Sequence, residues 1–133
     1  MPHIKTGSAW ALLAAIGVTT YFAAAVYLDR TFIDPTPKGR TVIPLGRLLE
    51  RSGHAAIVYQ DFPDLPTDDG GKAGSPVVIY EDGVPLSRPH SYLPDVAKLG
   101  MGRYGHFRNG LVFSASDNTD PNSNGRHYWA VVP

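Results

Sequence analysis

The sequence contains no cysteine, and this absence narrows the functions open to it. Without cysteine the chain has no disulfide, no thiolate nucleophile and no cysteine-ligated zinc site. An excess of charge is also missing, since 12 lysines and arginines balance 12 aspartates and glutamates. That balance gives no electrostatic basis for binding nucleic acid, so we predict no nucleic-acid partner.

Charged side chains are absent from one long stretch, Thr6–Leu28, which holds no Asp, Glu, Lys, Arg or His. As a helix it spans about 34 Å, enough to cross a bilayer core of about 30 Å. Trp10 and Tyr27 lie near its ends, where amphipathic rings favour the two membrane interfaces, and they are the predicted interface anchors. We therefore predict a transmembrane helix over residues 6–28, after an N-terminal tail of residues 1–5.

Two other interpretations of this stretch stay open. A buried helix of a soluble protein would be unusually long for one that is apolar on all faces. A cleaved signal peptide would explain Lys5, the apolar run and the small residues Ala23–Ala25, but the run is longer than a usual signal core. The pattern favours an uncleaved signal-anchor that crosses a bacterial inner membrane once.

The residues that flank the stretch give conflicting indications of its orientation. Lys5 and the terminal amine precede it, whereas Arg30, Lys38 and Arg40 follow it, and a count of basic residues alone places the domain that follows in the cytoplasm. The short N-terminal tail and the likeness to an export signal place that domain outside. We expect the second arrangement, with a periplasmic C-terminal domain.

Small side chains recur at every fourth position of the predicted helix. Four residues turn a helix by about 400°, so these residues form one slowly drifting stripe. Such a stripe lets another helix approach closely in lipid, although alanine is also simply common in membrane helices. No histidine lies in the span, so no cofactor is predicted, and bound lipid or pigment at the helix stays open. The predicted helix-packing residues are Gly7, Ala11, Ala15, Thr19 and Ala23.

The rest of the chain is typical of a spacer and a small β domain. Residues 29–40, with two prolines and a glycine, predict a short, stiff linker before a soluble domain of residues 41–133. Short apolar runs between turn signals predict a mainly β fold, in which the transmembrane helix precedes a small antiparallel β-sandwich-like domain with a short helix. The predicted elements are a strand at Thr41–Leu45, a helical turn at Gly46–Arg51, a strand at His54–Gln60, a loop at Asp61–Ser75, a hairpin joining Pro76–Tyr80 to Val84–Ser87 through Asp82-Gly83, a helix at Ser91–Leu99 stopped by a left-handed Gly100, a hairpin joining Arg103–Arg108 to Leu111–Ser116 through Asn109-Gly110, and a strand at His127–Val132.

Several motifs follow one another in the last third of the chain. They read EDGVPL at residues 81–86, LPDVAKLGMGRYGHF at 93–107 and SASDNTDPNSNGRHY at 114–128. Together they resemble a small module found near the C-termini of assorted bacterial envelope and polysaccharide-related proteins, with departures at Met101, Phe107 and Ser123. The resemblance implies a small appended β domain, which favours binding or assembly, and it implies no activity.

One of these motifs matches the first half of a calcium-binding loop. Asp120, Asn122 and Asn124 alternate before Gly125, as hard oxygen ligands would. The twelfth position, which should be a bidentate glutamate, is Val131. A turn in which Asp and Asn side chains bond the backbone explains the same residues. We predict no metal site, with Asp120, Asn122 and Asn124 as a weak calcium candidate.

Catalytic signatures are not recognisable in the sequence. No nucleophile elbow or spaced metal motif accompanies the histidines, so we predict that the protein is not an enzyme. A hydrolase would need a cleft in which His90 or His106 reaches an acid and a nucleophile.

Aromatic rings and arginines cluster in the last third of the chain. On paired strands the rings would alternate into a core, whereas on the surface rings and arginines suit sugars or a protein partner. We expect most of the rings to lie in the core. The rings are Tyr104, Phe107, Phe113, Tyr128 and Trp129, and the candidate partner or sugar contacts are Arg103, Tyr104, Arg108 and Arg126.

These patterns favour a non-enzymatic, single-pass accessory or structural subunit of a larger bacterial membrane complex, for example a photosynthetic or respiratory one. Its helix would dock in the membrane and its β domain would bridge or cap neighbours at the surface. The expected partners are other membrane-protein subunits and the lipid bilayer. The alternative is a membrane-tethered carbohydrate-binding module of the cell envelope, which would present an exposed, flat aromatic patch.

Overall fold

The computed structural model describes residues 6–32, 34, 36–46, 50–69 and 74–133, and the chain divides into two compact units between residues 33 and 34. The first unit contains one helix and the second contains eight short strands and one short helix among the described residues. The elements in chain order are α1 (Thr6–Thr31), β1 (Thr41–Leu45), β2 (Glu50–Ser52), β3 (Ala55–Val58), β4 (Val78–Glu81), β5 (Val84–Pro85), α2 (Leu93–Leu99), β6 (Tyr104–Phe107), β7 (Gly110–Phe113) and β8 (Tyr128–Val132).

Helix α1 runs three residues beyond its predicted end at Leu28. The Thr31 hydroxyl donates to the carbonyl of Tyr27 at 2.8 Å within the last turn. The hydroxyls of Thr19 and Thr20 likewise donate to carbonyls four residues earlier, at 2.8 and 2.9 Å. These hydroxyls therefore find acceptors inside the helix, which an apolar environment requires of them.

The surface of α1 is apolar and exposed. Ala9–Thr31 is long and apolar enough to cross a membrane, and none of its most apolar window is buried. Trp10 and Tyr27 are 72% and 68% exposed, and the five residues of the stripe are exposed as well. The interpretation as a core helix of a soluble protein does not account for this exposure.

Two antiparallel sheets form the second unit. The first sheet has the strand order β1-β8-β4-β5 and the second has the order β2-β3-β7-β6. Ile79 and Ala130 of the first sheet share one core with Leu111 of the second. In the same core the rings of Phe113 and Tyr128 have centroids 4.9 Å apart. The prediction of a small antiparallel β domain with a short helix is confirmed.

Helix α2 packs against the second sheet on the side away from this core. Val96 is fully buried there in a small cluster with Ala55 and Val112. Pro94 lies in the first turn, where a missing N–H leaves no helical bond unmade. The helix stops at Gly100 as predicted, with a positive φ of 58°, but the ψ of −127° lies outside the left-handed helical region.

The predicted helical turn at Gly46–Arg51 is wrong for the residues that can be compared. Glu50 and Arg51 belong to β2, where they pair with Ile57 and Ala56. Residues 47–49 lie outside the described part of the chain. Pairing with β3 supplies backbone hydrogen bonds that a single helical turn cannot match.

The second hairpin turns one residue earlier than predicted. Phe107 pairs with Gly110, so Arg108 and Asn109 form the turn in place of Asn109-Gly110. Gly110 begins β7 with a φ of 144°, and a Cβ at this position would collide with the carbonyl of Val58. The glycine is therefore required by close packing of β7 on β3 and not by the turn.

Both edge strands of the first sheet contain a proline. Pro44 in β1 pairs with Trp129, and Pro85 in β5 pairs with Tyr80. Proline has no N–H to donate and is tolerated in sheets at such edges. Each edge therefore lacks one donor that an additional strand would need.

Candidate functional site

The motifs that carry the resemblance meet in one polar network. Glu81 ends β4, Ser116 and Asp117 follow β7, and Arg126 precedes β8. The guanidinium of Arg126 lies 2.9 Å from Glu81 Oε1 and 2.6 Å from Asp117 Oδ2. Glu81 also accepts hydrogen bonds from Ser116 Oγ at 2.5 Å and from the Tyr128 hydroxyl at 2.9 Å. The network thus ties loops from both sheets together.

The electrostatics of this network suit a structural junction. The Arg126 guanidinium, with help from Thr119, holds the pKa of Asp117 far below its usual value. Asp117 in turn raises the pKa of Arg126. Burial, reinforced by Glu81, raises the pKa of Tyr128, so its hydroxyl keeps its proton. Because the charged and donor groups already have partners, the network stabilises the fold and offers no free base or nucleophile.

The calcium candidates are engaged in the same region. Asp120 Oδ1 accepts the N–H of Asn122 at 2.9 Å, and Asp120 Oδ2 lies 2.8 Å from Arg51. The amide of Asn124 donates to the Tyr128 hydroxyl at 2.8 Å. No group of three or more His, Cys, Asp or Glu that could hold a metal ion occurs in the described ranges. The side chains act as turn-forming residues here.

A second polar cluster joins the loop after β3 to strand β6. The Asp68 carboxylate accepts the N–H groups of Gly74 and Ser75, both at 3.1 Å, and that of His106 at 2.9 Å. Its Oδ1 also lies 2.7 Å from His90 Nδ1. The Ser75 hydroxyl lies 2.8 Å from His106 Nδ1. A serine, two histidines and an aspartate therefore meet at one place.

This cluster lacks the connectivity of a hydrolytic triad. The aspartate bonds the ring of His90, whereas the serine contacts the ring of His106, so no carboxylate orients the imidazole beside the hydroxyl. Ser75 and His106 are only 7% and 3% exposed. We interpret the cluster as the attachment of the loop to the β6 edge.

The buried ring of His106 predicts a pH-dependent stability. Burial lowers the pKa of His106, opposed in part by nearby Asp68. As the pH falls below about 6.5, the unfolded chain takes up this proton before the folded chain does. We therefore expect the free energy of unfolding to fall from pH 7 to pH 5, with at most about 1.4 kcal/mol per pH unit from this group.

Urea unfolding at a series of pH values measures this slope. His106→Gln should reduce this slope, because the variant lacks the buried ring whose pKa is lowered. A slope that His106→Gln leaves unaltered would show that other groups cause the pH dependence.

A cavity of about 440 Å³ opens where β1 ends and β8 begins. Its lining includes Pro44 and Trp129 and the polar residues Asn122, Ser123 and His127. The indole N–H of Trp129 is buried and has no hydrogen-bond partner among the described residues. The cavity thus combines an aromatic ring with several hydrogen-bonding groups, the mixture found in small-molecule sites.

Strand register places Trp129 in a row of ring side chains across the first sheet. The direct partners are Pro44 with Trp129, Trp129 with Tyr80, and Tyr80 with Pro85. Directly opposed residues share one face of a sheet, and the neighbours of Trp129 in β8 belong to the core. The row therefore lies on the outer face and is roughly 14 Å long, at about 4.8 Å per strand.

The four candidate contact residues do not form one patch. Tyr104 lies in the core and is 5% exposed, and Arg126 is held in the motif network. Arg103 donates to the Gly100 carbonyl at 2.9 Å. Arg108 lies in the β6–β7 turn, at the opposite end of β7 from the motif network. The lining of the cavity includes Pro44 and Trp129 of the outer row together with Tyr128, and both Trp129 and Tyr128 belong to the aromatic cluster noted in the sequence.

Comparison with protein-family models, with curated proteins and with solved structures finds no match to this chain. The resemblance of residues 81–128 to an envelope-associated module stays a prediction. Function is therefore inferred from the contacts and surfaces of the chain itself.

Proposed function

We propose that this protein is a single-pass, non-enzymatic accessory subunit of a bacterial membrane complex, with its β domain on the periplasmic side. The observation that carries the proposal is the uncovered apolar surface of α1. Ten of its large apolar side chains, from Trp10 to Leu28, are 49–72% exposed. Burying such a side chain is worth about 1.5–3 kcal/mol, so lipid or a partner helix is the environment that this surface favours.

One side of α1 supports docking to another helix over contact with lipid alone. Thr19 and Ala23 of the stripe lie in a shallow groove together with Phe22 and Val26. Small residues in a groove let two backbones approach, and close contact is what drives helix association in lipid. The Thr19 hydroxyl is already bonded to the Ala15 carbonyl, so its burial leaves no polar group unpaired.

The polar clusters of the β domain support a non-enzymatic role. Their carboxylates, hydroxyls and ring nitrogens bond to one another and to the backbone. Such clusters hold loops in place, which suits a domain that bridges or caps neighbouring subunits.

Replacing Ala11 and Ala15 with leucine should release the protein from its complex and leave the β domain folded. The added side chains hold the helices apart where close approach is needed, and we expect recovery of co-purifying subunits to fall at least about fivefold. Purification in a mild detergent, followed by mass spectrometry of the associated subunits, measures the effect.

The matched control is the double variant Ala9→Leu, Ala24→Leu. It adds the same volume at positions roughly 140° and 200° around the helix from the mean direction of Ala11 and Ala15. This variant should keep its partners. Migration of the wild-type protein alone, as a monomer, would refute the accessory-subunit proposal. Full co-purification of the Ala11→Leu, Ala15→Leu variant would refute only the stripe as the docking face.

A second candidate function is that of a membrane-tethered carbohydrate-binding module. The observation in its favour is that Pro44 and Trp129 belong both to the cavity lining and to the ring row on the outer face of the first sheet. Rings beside hydrogen-bonding groups suit sugars.

A further inference from the structure

We propose that the cavity beside Trp129 binds a neutral pyranose unit of a glycan, and that the ring row of Pro44, Trp129, Tyr80 and Pro85 is the platform along which the glycan extends. This site rests on the second candidate function and does not depend on the docking of α1. It differs from the arginine-rich set singled out in the sequence, which the fold disperses.

The composition of the cavity lining matches the chemistry of a sugar ring. A pyranose presents C–H groups on its faces and hydroxyls around its rim. The rings of Trp129 and Pro44 suit the faces, whereas Ser123, His127 and the backbone of Gly125 supply hydrogen-bonding groups for the rim. A ligand apolar all over would leave these polar groups without partners, which is unfavourable.

The charges of the described lining residues favour a neutral ligand over an acidic one. Arg126 is the only arginine or lysine in the described lining, and it already binds the carboxylates of Glu81 and Asp117. A carboxylate or phosphate on the ligand would have to compete with both of these partners. The ring of His127 has the Asp82 carboxylate 3.7 Å from its Nδ1, which also disfavours an anion nearby.

The ring row gives the site a direction. Its two outer members, Pro44 and Pro85, are exposed, and the rings of Trp129 and Tyr80 between them are half-buried. Rings held in register on neighbouring strands have little side-chain entropy to lose on binding. A glycan with its first unit at Trp129 would place later units over Tyr80 and Pro85, so affinity should rise with the number of sugar units.

The two tryptophans of the chain make the site directly observable. In a Trp10→Phe variant Trp129 is the only tryptophan, so its emission reports on the cavity. The full-length variant, in a detergent without a sugar head group, is titrated with maltohexaose, cellohexaose, chitohexaose and the acidic polymer polygalacturonate. We expect a saturable change in emission with at least one neutral hexaose and none with polygalacturonate.

Variants in the otherwise wild-type chain, measured by calorimetry, locate the binding. Trp129→Ala should weaken binding of the responding hexaose at least about tenfold, as loss of a central aromatic contact does. Tyr80→Ala leaves the cavity lining intact and should reduce hexaose affinity to that of the matching disaccharide. Tyr92→Ala removes a ring that is 51% exposed outside the cavity and should change nothing. Circular dichroism establishes that each variant is folded.

The remaining outcomes separate the site from the function. Binding that persists in both folded Trp129→Ala and folded Tyr80→Ala would overturn this site while sugar binding itself stands. Tighter binding of polygalacturonate than of the hexaoses would overturn the neutral ligand. Absence of binding to all four probes would overturn both the site and the carbohydrate-binding candidate.

Discussion

Asp68→Ala should lower the free energy of unfolding of the β domain by about 2–4 kcal/mol. The carboxylate accepts four hydrogen bonds, from the backbone of Gly74, Ser75 and His106 and from the ring of His90. Asp68 is 5% exposed, so water cannot replace these bonds without opening the loop. For a domain of this size the expected fall in Tm is roughly 10–30 °C.

Asparagine should be almost as damaging at this position as alanine. Donors surround both carboxylate oxygens, three at Oδ1 and the His106 N–H at Oδ2. In asparagine one of these oxygens is replaced by an NH₂ group. That group would point its hydrogens at a hydrogen-bond donor and could not accept a bond from it.

Burial alone would raise the pKa of Asp68, but the hydrogen bonds from His106, His90, Ser75 and Gly74 together lower it. The contribution of the Asp68 carboxylate to stability is therefore lost only as the pH falls below about 3.9.

Asp69→Ala is the matched control, because this neighbouring carboxylate is exposed and, among the described residues, accepts from Thr67 and Arg108. Thermal unfolding followed by circular dichroism should separate the two variants clearly. Hydrogen exchange should show that the amides of Ser75 and His106 lose protection in Asp68→Ala alone. Equal Tm values for the two variants would contradict a structural role for the cluster.

Glu81→Gln should destabilise the β domain by about 1.5–3 kcal/mol, the range for hydrogen bonds to a charged group. Glu81 accepts from the backbone and hydroxyl of Ser116, from Arg126 and from Tyr128. Replacing one carboxylate oxygen by an amide NH₂ group removes some of these hydrogen bonds and also removes the negative charge that pairs with Arg126. A double-mutant cycle with Tyr128→Phe, measured by urea unfolding, should show coupling of about 0.5–3 kcal/mol, since the two side chains are in contact.

The chain contains a surface counterpart of this pair. The Tyr59 hydroxyl donates to Glu50 at 2.8 Å, and both residues are exposed. A cycle of Glu50→Gln with Tyr59→Phe should give coupling near zero, because water replaces the bond. If both cycles gave the same coupling energy, burial of the Glu81 network would not be the source of its stability.

Local signals explain why most of the fold could be predicted from the sequence. Asp82-Gly83 takes the positive φ values of 47° and 80° that a tight hairpin turn needs, so the first hairpin is found where it was predicted. The strand at Thr41–Leu45 has its predicted limits. The turn of the second hairpin was predicted one residue too late. Gly110 is needed because it packs closely on Val58, which belongs to a strand distant in sequence, and this contact is not visible in the local pattern.

The polar clusters and the cavity could not be predicted because they depend on contacts between distant segments. Asp68 meets His90 and His106 across 22 and 38 residues, and its loop has no periodicity that would indicate a role. Trp129 stood out as an aromatic residue, but its row became visible only through the register that sets it beside Pro44 and Tyr80. The motif residues Glu81 and Arg126 were noted in the sequence without the junction that they form.

If α1 crosses a bilayer, as proposed, the prolines at both edges of the first sheet have a further consequence. Copies that diffuse in one bilayer plane collide far more often than copies free in solution. Edge strands that can pair with a strand of another copy are then sites of irreversible aggregation. Pro44 and Pro85 break the hydrogen-bonding ladder at these two borders. On this proposal the domain tolerates a high density at the membrane surface while each copy remains a separate folded body.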